Sequence, residues 1–490
     1  MEGIFNMLKE AALTMQQGGG IGYDFSTIRP NGALVKGVAA DASGPLSFMD
    51  VWDSMCRTIM SAGSRRGAMM ATLRCDHPDI EEFIEAKRDP ALLRMFNLSV
   101  LITDKFMEAV RNNNSWDLLF EEKIFRTISA RELWNKIMHS TYEFAEPGVI
   151  FIDRINNLNN LSYCEQISAT NPCGEQPLPP YGACLLGSIN LAKLIKRPFE
   201  VDAHIDLKEL SELVRTSVRM LDNVLESFIT TAPSQLEKAK FSAYRERSIG
   251  LGAMGFHAYL QKNNTPFESA MANQLNLEMF DYIKSNADKT TRELAIERGA
   301  CPDDDTASVR NAHLLAIAPN ASSSILCGNT SPSIEPFRAN AYTQKTKSGS
   351  NLVKNKFLDE LLMTKIGRTD LYEDTWKSII ANRGSVQHLD MLDEWEKDVF
   401  KTAVEINQAW IIEHASQRQQ FICQSQSLNL FFPPDVNKAD LHNIHMLAWA
   451  KNIKTLYYLR SEAISRADNV TAQAKREIIF ENEECLSCEG

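Results

Sequence analysis

The stretch Asn171–Leu191, NPCGEQPLPPYGACLLGSINL, decides how this chain is read. It holds two thiols, Cys173 and Cys184. A carboxylate, Glu175, lies two residues past the first, and an amide, Asn171, two before it. Prolines and glycines keep most of the stretch out of regular structure. Cysteine nucleophiles are ordinarily activated by a histidine base, and no histidine lies near Cys173 in the sequence. A thiol flanked by a carboxylate, with a second thiol nearby, suits reductive chemistry. One sulfur acts on the substrate while others supply electrons and end as a disulfide.

The bulk properties around this loop are those of an ordinary globular chain. With 490 residues it can bury a large core, enough for two to four domains or one large barrel. The net charge is −11 and there is no basic block, which argues against a nucleic-acid partner held through phosphates. No apolar run approaches the ~20 residues that span a bilayer. The first residues, MEGIFNMLKEAALTMQQ, lack the features of a signal peptide. Ten cysteines are too dilute for a disulfide scaffold, so a reducing cytoplasm is expected. Cys56, Cys75 and Cys301 read as small apolar core residues.

Periodicity predicts a helix from Glu2 to Gln17, stopped by the glycine-rich turn GGGIGYDF. A long polar loop, RPNGALVKGVAADASGPLS, leads to a helix through FMDVWDSMCRTIM. MMATLRC reads as a strand, HPDIEEFIEAK as a short helix and EPGVIFIDR as a strand. Apolar residues at Leu207, Leu210, Val214, Val218, Leu221, Leu225 and Phe228 predict a long amphipathic helix. Strand-like and helical segments alternate to IKTLYYLR, which argues for an α/β fold. The acidic end, IIFENEECLSCEG, reads as a flexible tail.

Several short motifs invite function. GLGAMG at Gly250–Gly255 has the letters of a dinucleotide fingerprint but follows no apolar strand, so close helix packing at small residues is the expectation. PNASSS at Pro319–Ser324 follows the apolar LLAIA. It is either an anion site at a helix start or a simple serine N-cap. SAGSRRGA, with Ser64, Arg65 and Arg66, is a solvated loop or one that touches an anionic ligand. Cys485 and Cys488 form a Cys-x-x-Cys on the tail with no second pair at zinc-ribbon spacing, so a tethered redox shuttle is favoured. Tyr457 and Tyr458 are a strand with one ring in the core, or a one-electron relay.

The opening loop resembles the active-site finger loop of ribonucleotide reductase large subunits. GGGIGYDFSTIRPNGA, RRGAMMATLRCDHPDIEEFI, APNASSSILCGNTSPSIEPFRANAYTQKTKSG and LHNIHMLAWAKNIKTLYYLRS resemble further landmarks of the same family across nearly the whole chain. The resemblance implies a ten-stranded α/β barrel of two five-stranded halves, with the finger loop threaded through it. It implies a catalytic barrel over 1–475 and a redox-active tail over 476–490. By the same resemblance Cys173 is the thiyl radical carrier, Glu175 the base at the 3′ hydroxyl, Asn171 the amide on the ribose, and Cys184 one of two reducing thiols. Gly19, Gly20, Pro319, Asn320, Ala321, Ser322 and Ser323 would bind substrate, and Ser64, Arg65 and Arg66 would lie in the specificity loop.

The tyrosine pair implies the oxygen-dependent class. There the chain itself holds no metal or cofactor, a metal-containing small subunit supplies the radical through Tyr457 and Tyr458, and dNTP or ATP act as effectors. The implied partners are that small subunit, thioredoxin or glutaredoxin at Cys485 and Cys488, and a second copy of the catalytic chain. A cobalamin-dependent enzyme is the alternative. No cysteine precedes the GGGIG turn, where the family carries its other reducing thiol on a first barrel strand. Either a separate N-terminal fragment is therefore expected to supply that strand, or the chain is a processed or truncated form. A fragment that only binds and assembles is the remaining reading.

Overall fold

The computed structural model describes residues 1–35, 40–59, 68–89, 91–346, 349–433 and 436–461. Ser64, Arg65, Arg66, Cys485 and Cys488 lie outside them. The chain opens with the helix Glu2–Gln16, which buries Ala11 and Met15 against the first of two strand layers. That layer is a five-stranded sheet ordered Ile21–Asp24, Met69–Arg74, Phe96–Ile102, Gly148–Phe151 and Thr455–Leu456. The first four strands run parallel and the last antiparallel. Phe96–Ile102 is buried throughout, as expected of a parallel strand covered on both faces. Parallel neighbours need crossovers. The helices Gly44–Thr58 and Ala130–Phe144 provide two of them, the second capped by Ser129 accepting from Glu132 N.

The second layer is also parallel. Leu186–Asn190 pairs with Gly250–Met254, Leu251 bridges Leu315, Ile317 bridges Gln426, and Asn429–Phe432 pairs with Tyr458–Ser461. One segment, Thr455–Ser461, thus serves both layers. It pairs antiparallel with Gly148–Phe151 through Thr455 and Leu456, then parallel with Asn429–Phe432 from Tyr458 onward. The outermost strands, Ile21–Asp24 and Leu186–Asn190, each have one strand partner among the described residues.

The amphipathic helix is observed as Leu207–Thr231, capped by Asp206 accepting from Glu209 N. It buries Leu210, Val214, Val218, Leu221 and Leu225, while Leu207 remains exposed. A second apolar cluster, including Phe357, Leu362, Trp376, Ile379 and Phe400, gathers the helices after the Ala341–Thr346 and Gly349–Lys354 hairpin. Cys56, Cys75 and Cys301 are buried. No helix among the described residues is long and apolar enough to cross a membrane.

Two sequence expectations are corrected. GLGAMG is neither a nucleotide turn nor helix packing: Gly250–Met254 is a strand with every residue buried. A Cβ at Gly252 would come within 2.4 Å of Ala316 O, so glycine is there for close approach of the neighbouring strand. The polar loop after the GGGIG turn also contains a short antiparallel pair, Leu34–Val35 with Ala40–Asp41.

Candidate active site

Residues 168–177 lie between the two layers. Thr72, on a first-layer strand, donates its hydroxyl to Ser168 O at 3.0 Å. A Cβ on Gly22 would sit 1.8 Å from Thr170 O, and one on Gly20 would sit 3.2 Å from Pro172 Cγ. The glycines of the GGGIG turn therefore leave room for this loop. Gly19 is close instead to its own helix, with a Cβ position 2.9 Å from Thr14 Cγ2.

The loop closes on itself as a tight hairpin. Thr170 and Pro177 form an antiparallel bridge, Gly174 N donates to Asn171 O at 3.0 Å, and Gln176 N donates to Asn171 Oδ1 at 2.9 Å. Gly174 turns the chain at φ 78°, a conformation suited to glycine. Asn171, Cys173 and Glu175 are thereby brought to one tip. Cys173 is half-buried there, and Cys184 is exposed just ahead of the Leu186–Asn190 strand.

Second-layer groups fix the other side of the tip. Ser425 N donates to Glu175 O at 3.0 Å, and Gln176 Nε2 donates to Gln424 Oε1 at 2.7 Å. The Thr455 side chain lies 3.8 Å from the Cβ position of Gly174. Across the tip, Asn97 Nδ2 donates to Pro172 O and to Tyr457 Oη, both at 2.9 Å. Tyr457 is 4% exposed, so its ring lies in the core. Tyr458 begins the Tyr458–Ser461 strand, and its side chain lies outside the described residues.

Glu175 is 1% exposed. Burial disfavours its charged form and pushes its pKa up to about 7, against the opposing hydrogen bond from Asn171. Its Oε2 is buried and has no hydrogen-bond partner. A buried carboxylate oxygen left in this state, beside a thiol and an amide, is suited to take a proton from a substrate hydroxyl.

The Pro319–Ser323 loop follows the segment that carries Leu315 and Ile317. Asn320 takes a left-handed φ of 54° and accepts from Ser188 Oγ at 3.1 Å. The one-turn helix Ser323–Leu326 begins there, and Ser322 makes no capping side-chain bond. The serine-cap expectation is therefore not met. Ala321 and Ser322 are exposed, while Pro319, Asn320 and Ser323 are half-buried.

Sequence reasoning passed over Asn97, Gln424 and Thr455, all buried and all against the tip. The available signal was a polar residue inside an otherwise apolar strand run, as in FNLSVLI.

Comparison with known proteins gives the family and the fold. The model of the family "Ribonucleotide reductase, barrel domain" matches residues 1–306 and 304–459. A ribonucleoside-diphosphate reductase large subunit of Invertebrate iridescent virus 3 is 34% identical, over 100% of this chain and 85% of the viral protein. A vitamin B12-dependent ribonucleoside-diphosphate reductase of Thermoplasma acidophilum is also 34% identical, over 97% of this chain but 62% of its own length. Among solved structures, the Actinobacillus ureae class Id ribonucleotide reductase alpha subunit superposes with a TM-score of 0.80 at 29% identity, covering 95% of this chain and 82% of that one. Two strand layers around a cysteine-tipped loop, matched along nearly the whole chain, place this protein in the ribonucleotide reductase large-subunit family.

Proposed function

We propose that this reductase large subunit converts ribonucleotides to 2′-deoxyribonucleotides at the 171–176 tip by class I radical chemistry. The observation that carries the reading is the orphaned Glu175 Oε2 held beside Asn171 on the hairpin that presents Cys173. Cys173, as a thiyl, takes the hydrogen from the ribose 3′ carbon. Glu175 takes the 3′ hydroxyl proton, and the Asn171 amide hydrogen-bonds the ribose. The 2′ oxygen leaves as water, and two thiols close to a disulfide, which supplies the two electrons. Cys184 is one of them. Pro319–Ser323 holds the substrate phosphates, with Gly19 and Gly20 beside them.

A separate radical-generating subunit supplies the oxidising equivalent, and Tyr457 and Tyr458 pass it to Cys173. The contact of Tyr457 with the loop through Asn97 supports this route over cobalamin. Cys485 and Cys488 on the tail re-reduce the site and are reset by thioredoxin or glutaredoxin. The catalytic unit pairs as a dimer in the cytoplasm, and nucleotide effectors act through Ser64, Arg65 and Arg66. With one strand partner each among the described residues, Ile21–Asp24 and Leu186–Asn190 fit a further strand carrying the second reducing cysteine, such as an N-terminal fragment would bring.

The test is Cys173→Ser. A hydroxyl O–H is too strong to store the radical, so deoxynucleotide formation should vanish while nucleotide still binds. Product formation near the parental rate would overturn the assignment.

A further inference from the structure

Asn97 sits within the Phe96–Ile102 strand at 3% exposure, between the core residues Phe96 and Leu98. An amide buried among apolar side chains costs free energy unless its hydrogens are matched. Here the matching is specific. Nδ2 donates to Pro172 O and to Tyr457 Oη, each at 2.9 Å. A carbonyl only accepts, so the group facing Pro172 is the amide nitrogen. One nitrogen therefore ties the phenol of Tyr457 to the peptide that immediately precedes Cys173.

We propose that Asn97 is a positioning residue for the hydrogen-atom step between Tyr457 and Cys173. This rests on the reading above that Tyr457 carries the radical. In that step the Cys173 S–H bond breaks and the Tyr457 O–H bond forms. One proton and one electron move together from sulfur to the phenoxyl oxygen, leaving a thiyl. The oxidising equivalent is the one already supplied by the radical-generating subunit, so nothing further is consumed. Asn97 serves the step in two ways. It fixes the phenol oxygen against the loop from the first layer, while Ser425 and Gln424 fix the same loop from the second. A carboxamide also neither takes up nor releases a proton near neutral pH, so it cannot divert the proton that must travel with the electron.

The experiment uses the full chain with its radical-generating subunit, under conditions where the unsubstituted protein turns over. Asn97→Leu should lower kcat by ~100-fold, the scale of an ångström-sized misplacement, while KM for nucleotide stays within about 2-fold. A tyrosyl radical should build up at position 457 and be seen by electron paramagnetic resonance, because its exit is slowed. Asn97→Asp adds a readout that misfolding cannot imitate. Ionised, the carboxylate cannot donate; protonated, it donates again. The activity of this variant relative to the unsubstituted chain should therefore rise as pH falls.

An unchanged kcat in Asn97→Leu, or an Asn97→Asp ratio flat with pH, would overturn the proposal. So would a matched rise in KM. Tyr457→Phe separates the two levels. If it is inactive while the Asn97 variants are normal, only the role of Asn97 fails. If it turns over normally, the radical route through Tyr457 fails, and the role of Asn97 with it.

Discussion

The first strand layer and the 424–429 segment of the second treat polarity in opposite ways. In the first layer, Met69–Arg74 and Phe96–Ile102 are mostly apolar, and two of the buried polar exceptions, Thr72 and Asn97, touch the loop. Thr72 donates to Ser168 O and Asn97 to Pro172 O, while Ser99 Oγ lies against the glycine at position 148. In the second layer, Gln424, Ser425, Gln426, Ser427 and Asn429 are all 3% exposed or less, so this one segment is polar although Leu251, Leu315, Ile317 and Phe431 of the same layer are buried and apolar. The polar side chains of this segment bond mainly to the elements packed around it, while Ser427 Oγ and Asn429 Oδ1 are buried with no partner. Gln424 Nε2 donates to Ile249 O, Gln426 Nε2 donates to Ala415 O, and Ser425 Oγ shares a hydrogen bond with Thr455 Oγ1. The first layer is an apolar scaffold with a few marked contacts. The 424–429 segment is a hydrogen-bonded bed on which the loop is seated. A buried polar network is worth most when every member is satisfied, and truncating one leaves the rest exposed to the full cost of burial.

The largest effect is expected at the group both layers surround. Glu175→Gln keeps the shape but cannot accept a proton, so turnover should fall ~10²–10⁴-fold. The unsubstituted enzyme should lose kcat/KM as pH drops through about 7, where the carboxylate is protonated. Stability should move the other way. The folded pKa of about 7 lies above the ordinary value of 4.5, so folding favours the neutral acid, and that contribution is lost as pH rises through 7. Glu175→Gln should then raise stability at pH 8 by ~1–3 kcal/mol and change it little at pH 5. Urea melts at the two pH values check this, and equal shifts at both would refute the burial argument.

Next comes the close approach. Gly22→Ala would place a methyl 1.8 Å from Thr170 O, so either the loop or the Ile21–Asp24 strand must move. A loop shift of about 1 Å should cost ~100-fold in kcat. Parental turnover would mean that the strand gives way instead of the tip.

Gln424→Leu then probes the second layer. It unpairs Gln176 Nε2 and leaves the carbonyls of Ile249 and Leu315 without that donor. A loss of ~2–3 kcal/mol is expected in chemical denaturation. Thr72→Val probes the first layer and should be the mildest change. It removes one hydroxyl that donates to Tyr23 O and Ser168 O, for ~1 kcal/mol. If Thr72→Val costs as much as Gln424→Leu, the contrast between scaffold and bed does not hold.

Much of this was readable in the residues alone. The helical spacing of Leu210, Val214, Val218, Leu221 and Leu225 fixes one face of a helix whatever surrounds it, because 3.6 residues make a turn. The thiol, acid and amide at Cys173, Glu175 and Asn171 were visible because they are close in sequence, and a hairpin keeps near neighbours near. Other features depend on segments hundreds of residues apart. Asn97 meets Tyr457 across 360 positions, and Gln176 meets Gln424 across 248. GLGAMG misled for the same reason. Gly252 answers to the backbone at 316–317, a neighbour distant in sequence that the motif itself does not show. Period and spacing report only on a residue's own element, so the sequence determined the elements and the reactive groups. Which buried polar groups face each other is set by how parallel strands stack through distant crossovers, and that only the tertiary structure decided.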